Sequence, residues 1–287
     1  MPTTSLFSLN SLKSRALVAK VPEIIAFFWV TKVATTAMGE STSDWMNGFL
    51  GPAIAVPVML ALLIWTLRRQ FRATRYEAWT YWSVVVMVAV FGTSAADALH
   101  VGAGIPYVAS TAFYAVVLAA IFLAWYRVEG TLSIHSIYTP RREAFYWATV
   151  LATFALGTAA GDMTATSLHI GFFGSIWLFA ALIAIPAIGY RWFGMNEVLA
   201  FWVAYVLTRP LGASVADWLA VEHHRGGVGL GAGGVSLILA VSVYFAVRRL
   251  ATTKMDVRGD DSDPDGSAGD SDLGRLGRGR ALGLDLG

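Results

Sequence analysis

Residues 81–97 read YWSVVVMVAVFGTSAAD: an aromatic residue, a tryptophan, nine residues, a glycine, four residues and an aspartate. The same frame recurs without a gap as FWVTKVATTAMGESTSD at 28–44, YWATVLATFALGTAAGD at 146–162 and FWVAYVLTRPLGASVAD at 201–217. The fixed points are Trp29, Gly39 and Asp44; Trp82, Gly92 and Asp97; Trp147, Gly157 and Asp162; Trp202, Gly212 and Asp217. A glutamate precedes each tryptophan: Glu23, Glu77, Glu143 and Glu197. Four matches in register mark a tandem repeat, and each unit holds two apolar stretches, hence two helices.

Around these frames the chain is 56% hydrophobic and 14% charged, with a mean hydropathy of +0.59, against about 25% charged residues in an ordinary soluble domain. Apolar runs long enough to cross a hydrocarbon core recur from Pro22 to Arg249. Eight spans are read, near 23–44, 50–67, 77–98, 106–126, 143–163, 169–190, 197–218 and 229–248. The fold expected is all-α and polytopic: eight transmembrane helices as four parallel two-helix repeats, near 21–70, 75–128, 141–192 and 195–250. A polar arm (1–20) precedes them, and a Gly- and Asp-rich tail (251–287) follows that is too poor in apolar residues to fold. The first apolar run follows Lys13, Arg15 and Lys20 but offers no small-x-small cleavage site, so it reads as a retained helix.

Lys and Arg fall on alternate sides. Lys20, Arg68, Arg69, Arg72, Arg75, Arg127, Arg141, Arg142, Arg191, Arg248 and Arg249 share one side; the opposite loops hold only Arg225. The positive-inside rule then puts both termini in the cytoplasm. The opposite loops are short, so each odd–even pair reads as a tight hairpin. There is no cysteine, which excludes disulfides, thiolate metal sites and cysteine nucleophiles. No phosphate-binding loop or zinc-protease motif occurs. Neither a cofactor nor a nucleic-acid partner is expected.

On the four Trp…Gly…Asp sets the chain resembles a family of bacterial integral membrane proteins built from four tandem two-helix repeats, each with a characteristic tryptophan. The resemblance covers about residues 20–250 and leaves out the acidic tail. It implies the repeat architecture and a place in the bacterial inner membrane, and it carries no mechanism.

Fifteen residues of helix put each Trp and its Asp about 22 Å apart along the axis and about 60° apart around it. The tryptophans therefore read as interfacial anchors at the cytoplasmic end. The aspartates fall at helix C-termini, where a carboxylate is electrostatically misplaced. Three remedies are open. Each Asp caps the following helix, or pairs with one of two intramembrane cations, Lys32 and Arg209, or all four converge on a bound cation. The glycines read either as helix breaks, which build ion sites in transporters, or as points of close packing. Glu40 adds a fifth acid one turn before Asp44; its counterparts in the other repeats are Thr93, Thr158 and Ala213. Repeats one and four resemble each other, as do two and three, so the symmetry is A-B-B-A. His100, His169, His223 and His224 read as solvated loop residues beside the outer ends, and His135 as cytoplasmic.

The expected function is therefore transport or channelling of a small cation, either a metal ion or coupled to protons. Glu40, Asp44, Asp97, Asp162 and Asp217 would be ligands or proton carriers, and Lys32 and Arg209 counter-charges. Oxygen donors without sulfur suit Mn²⁺, Mg²⁺ or Na⁺. The alternatives are a non-transporting membrane scaffold and an intramembrane aspartyl-type enzyme; the reading adopted is not an enzyme.

Overall fold

A computed structural model describes residues 19–257. The expected arm (1–20) and tail (251–287) fall largely outside them. Among the described residues there are eight long helices. They are α1 (Ala26–Leu50), α2 (Pro52–Arg72), α3 (Ala78–Asp97), α4 (Tyr107–Glu129), α5 (Pro140–Asp162), α6 (Gly171–Phe193), α7 (Glu197–Ala220) and α8 (Gly231–Thr253). Seven are long and apolar enough to cross a membrane; α1 is the exception. It carries Lys32, Glu40 and Asp44 among threonines and serines. Lys32 and Glu40 point into the protein interior, so the helix is polar without exposing those charges on its outer surface.

Local signals start and stop the helices. Thr139 caps α5, its hydroxyl accepting from the Arg142 amide, and Pro140 stands at the first helical position. Asn196 caps α7 in the same way. Gly51, at φ 76°, allows α1 to reverse directly into α2.

The odd helices form a closed inner ring: α1 packs on α3 and α7, and α5 on α3 and α7. The even helices form an outer collar. α2 leans mainly on α3, α4 on α5, α6 on α7, and α8 on α1. Each even helix thus covers the odd helix of the next repeat, and the fourth closes on the first. This corrects the hairpin reading. A short loop joins the two helices of a repeat, but the better-fitting apolar face belongs to the following repeat. The collar presents apolar side chains outward, among them Leu62, Val116, Ile185 and Ile238, as a lipid-facing surface does.

Two levels of the motif close the ring, each by the same rule. At the first, the aromatic residue before each tryptophan meets the tryptophan of the next repeat. Phe28 lies 5.6 Å from Trp82, Tyr81 5.5 Å from Trp147, Tyr146 6.2 Å from Trp202, and Phe201 5.8 Å from Trp29. At the second, each glycine accepts a residue of the next odd helix. A Cβ on Gly39 would meet Ala89; on Gly92, Phe154; on Gly157, Arg209; on Gly212, Thr36. Because equivalent positions meet at equal heights, the four odd helices run parallel.

These rings change two readings. Trp82, Trp147 and Trp202 are buried and Trp29 is half-buried, so they are not anchors in a membrane interface. Sequence position put them at the right height, but their neighbours are other repeats. The glycines are sites of close approach and not helix breaks, since every odd helix runs through its glycine unbroken. An added methyl at Gly39 would sit 2.2 Å from the Ala89 Cβ and 2.9 Å from its carbonyl carbon. Gly39→Ala is therefore expected to destabilise the protein by about 1–3 kcal/mol, the usual cost of overpacking. Thermal unfolding in detergent measures this, and Gly39→Ala/Ala89→Gly should recover part of it.

Helix and packed chain run past the expected end of the membrane domain at residue 250. α8 continues to Thr253, and Asp256 is buried, bonded to the Tyr76 hydroxyl, with its carbonyl accepting from the Glu23 amide. Near this end lies a buried polar set the sequence did not disclose. Glu143 accepts from Lys20 Nζ at 2.8 Å and from Gln70 Nε2 at 2.9 Å.

Candidate functional site

The interior of the ring is read by counting from each tryptophan. Three residues on stand Lys32, Val85, Val150 and Tyr205; seven on, Thr36, Ala89, Phe154 and Arg209; eleven on, Glu40, Thr93, Thr158 and Ala213. All twelve are buried. Four-residue steps keep to nearly one helical face, so each odd helix sends one side chain per level toward the ring interior.

The charged members interlock. Arg209 from α7 reaches Glu40 on α1, its Nη2 2.5 Å from Oε2. The same Nη2 donates to the hydroxyls of Thr93 on α3 and Thr158 on α5. These hydroxyls donate in turn to Glu40 Oε2, at 3.0 and 3.2 Å. One residue from each odd helix thus meets at a single carboxylate oxygen. Arg209 is not fully satisfied, because Nε and Nη1 are buried without a partner. Its guanidinium lies 5.1 Å from the centre of the Phe154 ring. Pro210 follows it and removes one amide from the α7 ladder.

Lys32 has a different environment. It is 0% exposed, and its ammonium sits 4.2 Å from the ring centres of both Phe154 and Tyr205. Its hydrogen bond is a long one, 3.5 Å to the Thr36 hydroxyl. The expected carboxylate partner on another helix is absent among the described residues; two aromatic faces stand in its place. Phe154 therefore has both cations on it.

One turn beyond Glu40 come the four aspartates, at the end of the ring opposite the tryptophans. Each is partly exposed. Among the described residues none makes a side-chain hydrogen bond or an ion pair. The N-termini of α2, α4, α6 and α8 take no side-chain cap, so the capping reading does not hold. Pairing with Lys32 or Arg209 does not hold either: Arg209 is spent on Glu40, and Lys32 lies on the far side of it. What remains is mutual proximity. The charges of Glu40 and Arg209 reach all four aspartates, and Asp44 lies within electrostatic reach of Asp97, Asp162 and Asp217. Carboxylate oxygens of Glu40, Asp44 and Asp217 lie within 4.8 Å of one another, close enough to share one ion.

The site also follows the A-B-B-A pattern. After Asp97 and Asp162 the helix widens into π-helical turns, Ala98–Gly102 and Met163–Ser167, whereas α1 and α7 continue as α-helix past Asp44 and Asp217. The histidines stay outside: His100 bonds the Ile105 carbonyl, His223 the Gly227 carbonyl, His224 pairs with Glu222 and His135 with Glu197. Thr93, Thr158, Phe154 and Tyr205 were missed as functional candidates. The first two were visible as the repeat counterparts of Glu40.

No curated protein and no solved structure matches the chain. The family model described as Repeat of Unknown Function (DUF347) matches four times in tandem, at residues 27–76, 80–131, 145–195 and 200–253. The chain is a four-repeat member of that family.

Proposed function

We propose that the protein crosses the bacterial inner membrane eight times, α1 included, with both termini cytoplasmic, and carries a small hard cation through the acidic end of its ring. The observation that carries this reading is the set of four aspartates, one per repeat. Among the described residues their side chains make no hydrogen bond or ion pair, and all four lie within electrostatic reach of a glutamate that is already held by an internal cation. Like charges gathered this way are costly unless something positive joins them. Intramembrane acids facing a bundle interior are the usual mark of an ion pathway. The Lys and Arg distribution supports the orientation, with the acidic end facing out of the cytoplasm.

Arg209 has a defined part in this reading. It is a tethered cation that neutralises Glu40 while the site waits. An incoming ion meets the aspartates first, then competes with the guanidinium for Glu40. Nη2 alone makes its bonds to the cluster, and Nε and Nη1, buried without a partner among the described residues, are free to take new ones when Arg209 leaves Glu40.

The test is cation flux into liposomes holding the full chain, with Mn²⁺ as probe. Asp97→Asn and Asp162→Asn proteins should insert and fold with normal yield, and flux should fall to about a tenth or less, the scale on which lost metal partners act. Normal flux at normal yield contradicts the proposal.

A further inference from the structure

The residues that break the fourfold pattern stand next to one another. Before the tryptophans, repeats one and four carry Phe28 and Phe201, but repeats two and three carry Tyr81 and Tyr146. Three residues after the tryptophans, repeats two and three carry valines, but one and four carry Lys32 and Tyr205. Ring closure needs only the aromatic faces, so phenylalanine would serve at 81 and 146. The two hydroxyls are there in addition, and they share a hydrogen bond of 2.5 Å.

From Lys32 the groups continue away from the acidic site. The ammonium lies against the Tyr205 ring, and Tyr205 stands within electrostatic reach of Tyr146 and Tyr81. The Tyr205 hydroxyl is buried beside the Tyr146 hydroxyl, and among the described residues it makes no hydrogen bond of ordinary length. Tyr81 packs edge-on against Tyr76, with ring centres 5.7 Å apart, and the Tyr76 hydroxyl bonds the Asp256 carboxylate. Burial raises the Asp256 carboxyl above the usual carboxylate range, against the lowering effect of the Tyr76 bond, so it holds a proton more readily than a surface acid. Around Lys32 the charged or titratable groups are Arg209 and Tyr205 on α7, with Tyr146 on α5 and Tyr81 on α3 beyond. Glu40, two turns on along α1, is held by Arg209. Helices α2 and α8 pack on the outer side of α1, and their arginines lie at the Trp end.

We propose that Lys32, Tyr205, Tyr146, Tyr81, Tyr76 and Asp256 form a proton path along the ring, and that this path couples to the cation site. The coupling half rests on the cation reading above. When an ion takes Glu40, the released Arg209 charge bears on Lys32 through the Phe154 ring they share, and the ammonium gives up its proton. The proton passes to the Tyr205 oxygen as each hydroxyl hands its own proton to the next. Two links, Tyr146 to Tyr81 and Tyr76 to Asp256, are hydrogen bonds already in place. The ammonium must swing from the Tyr205 ring face to its oxygen, and the links from Tyr205 to Tyr146 and from Tyr81 to Tyr76 are made by hydroxyl rotation. Lys32 ends as a neutral amine and Asp256 as a carboxylic acid. One proton moves, and total charge is unchanged. Asp256 then releases the proton on the Trp side, and Lys32 takes another from the acidic end when the ion leaves and Arg209 returns to Glu40.

The experiment uses the full chain in liposomes with a pH-sensitive dye inside and an imposed potassium diffusion potential, with and without external Mn²⁺. Mn²⁺ affinity is measured in parallel on the solubilised protein. Wild type should carry protons, faster with Mn²⁺. Tyr81→Phe and Tyr146→Phe keep the rings, and should slow the proton flux by about a hundred-fold or more, the low end of what loss of a proton-transfer group usually costs, with Mn²⁺ affinity unchanged. Lys32→Met tests the start of the path. Asp256→Asn, outside the ring, tests its end if a core variant fails to fold. Proton flux that survives both tyrosine changes overturns the path, as does Mn²⁺ binding by a wild type that moves no protons; the latter leaves the cation reading standing. Tyrosine-dependent proton flux in a protein that binds no Mn²⁺ supports the path and overturns the cation reading.

Discussion

Arg209→Met should lower stability by about 3–5 kcal/mol, the cost of leaving one member of a buried ion pair alone. Glu40 is 3% exposed and Arg209 0%, so neither charge can turn to water when its partner is removed. Thr93 and Thr158 would remain as donors to Glu40, which offsets some of the loss. The double variant Glu40→Met/Arg209→Met should regain much of it, because matched apolar groups often replace a buried pair at little net cost. Unfolding of the two single variants and the double gives the coupling directly. Strict additivity would mean that Glu40 and Arg209 do not hold each other. On the proposed cation reading the double variant should also be inactive in flux, since both the proposed ligand and its stand-in are gone. Stability and function therefore separate in one protein.

The repeat frame was legible in the sequence because its spacing is fixed and ungapped. Eight helices, parallel odd members and acids at one end all follow from it. Even-to-next-odd packing was not legible. Short loops suggest that α3 and α4 are partners, and only the three-dimensional fit of the faces assigns α4 to α5. The tryptophans failed for a related reason. Height in the bilayer can be counted from sequence, but whether Trp82 meets lipid or Phe28 depends on how the ring closes. The partner of Arg209 was within reach. Among the columns aligned on the tryptophans, Glu40 stands alone among Thr93, Thr158 and Ala213, and Arg209 lies one turn away in the same register. Lys32 was not: an ammonium between Phe154 and Tyr205 leaves no charge-complementary trace in the chain. The choice among capping, pairing and convergence for the aspartates needed coordinates, since all three use the same residues at the same spacing.

The central claim is that carboxylates from separate repeats hold one cation together. The most direct measurement is Mn²⁺ affinity of the purified full chain, by calorimetry or by the resonance signal of the free ion. Wild type and single Asp44→Asn and Asp217→Asn variants are compared, each of normal fold. Partners one shell removed from a metal are already worth about 10–100-fold in affinity, so losing a direct ligand should weaken binding on the order of 100-fold. Asp44 and Asp217 come from the first and last repeats yet share Glu40 within 4.8 Å, so the two losses should be similar and their combination no worse than loss of the whole site. Mn²⁺ binding that is unchanged in both variants, or no binding by the wild type, would contradict the claim.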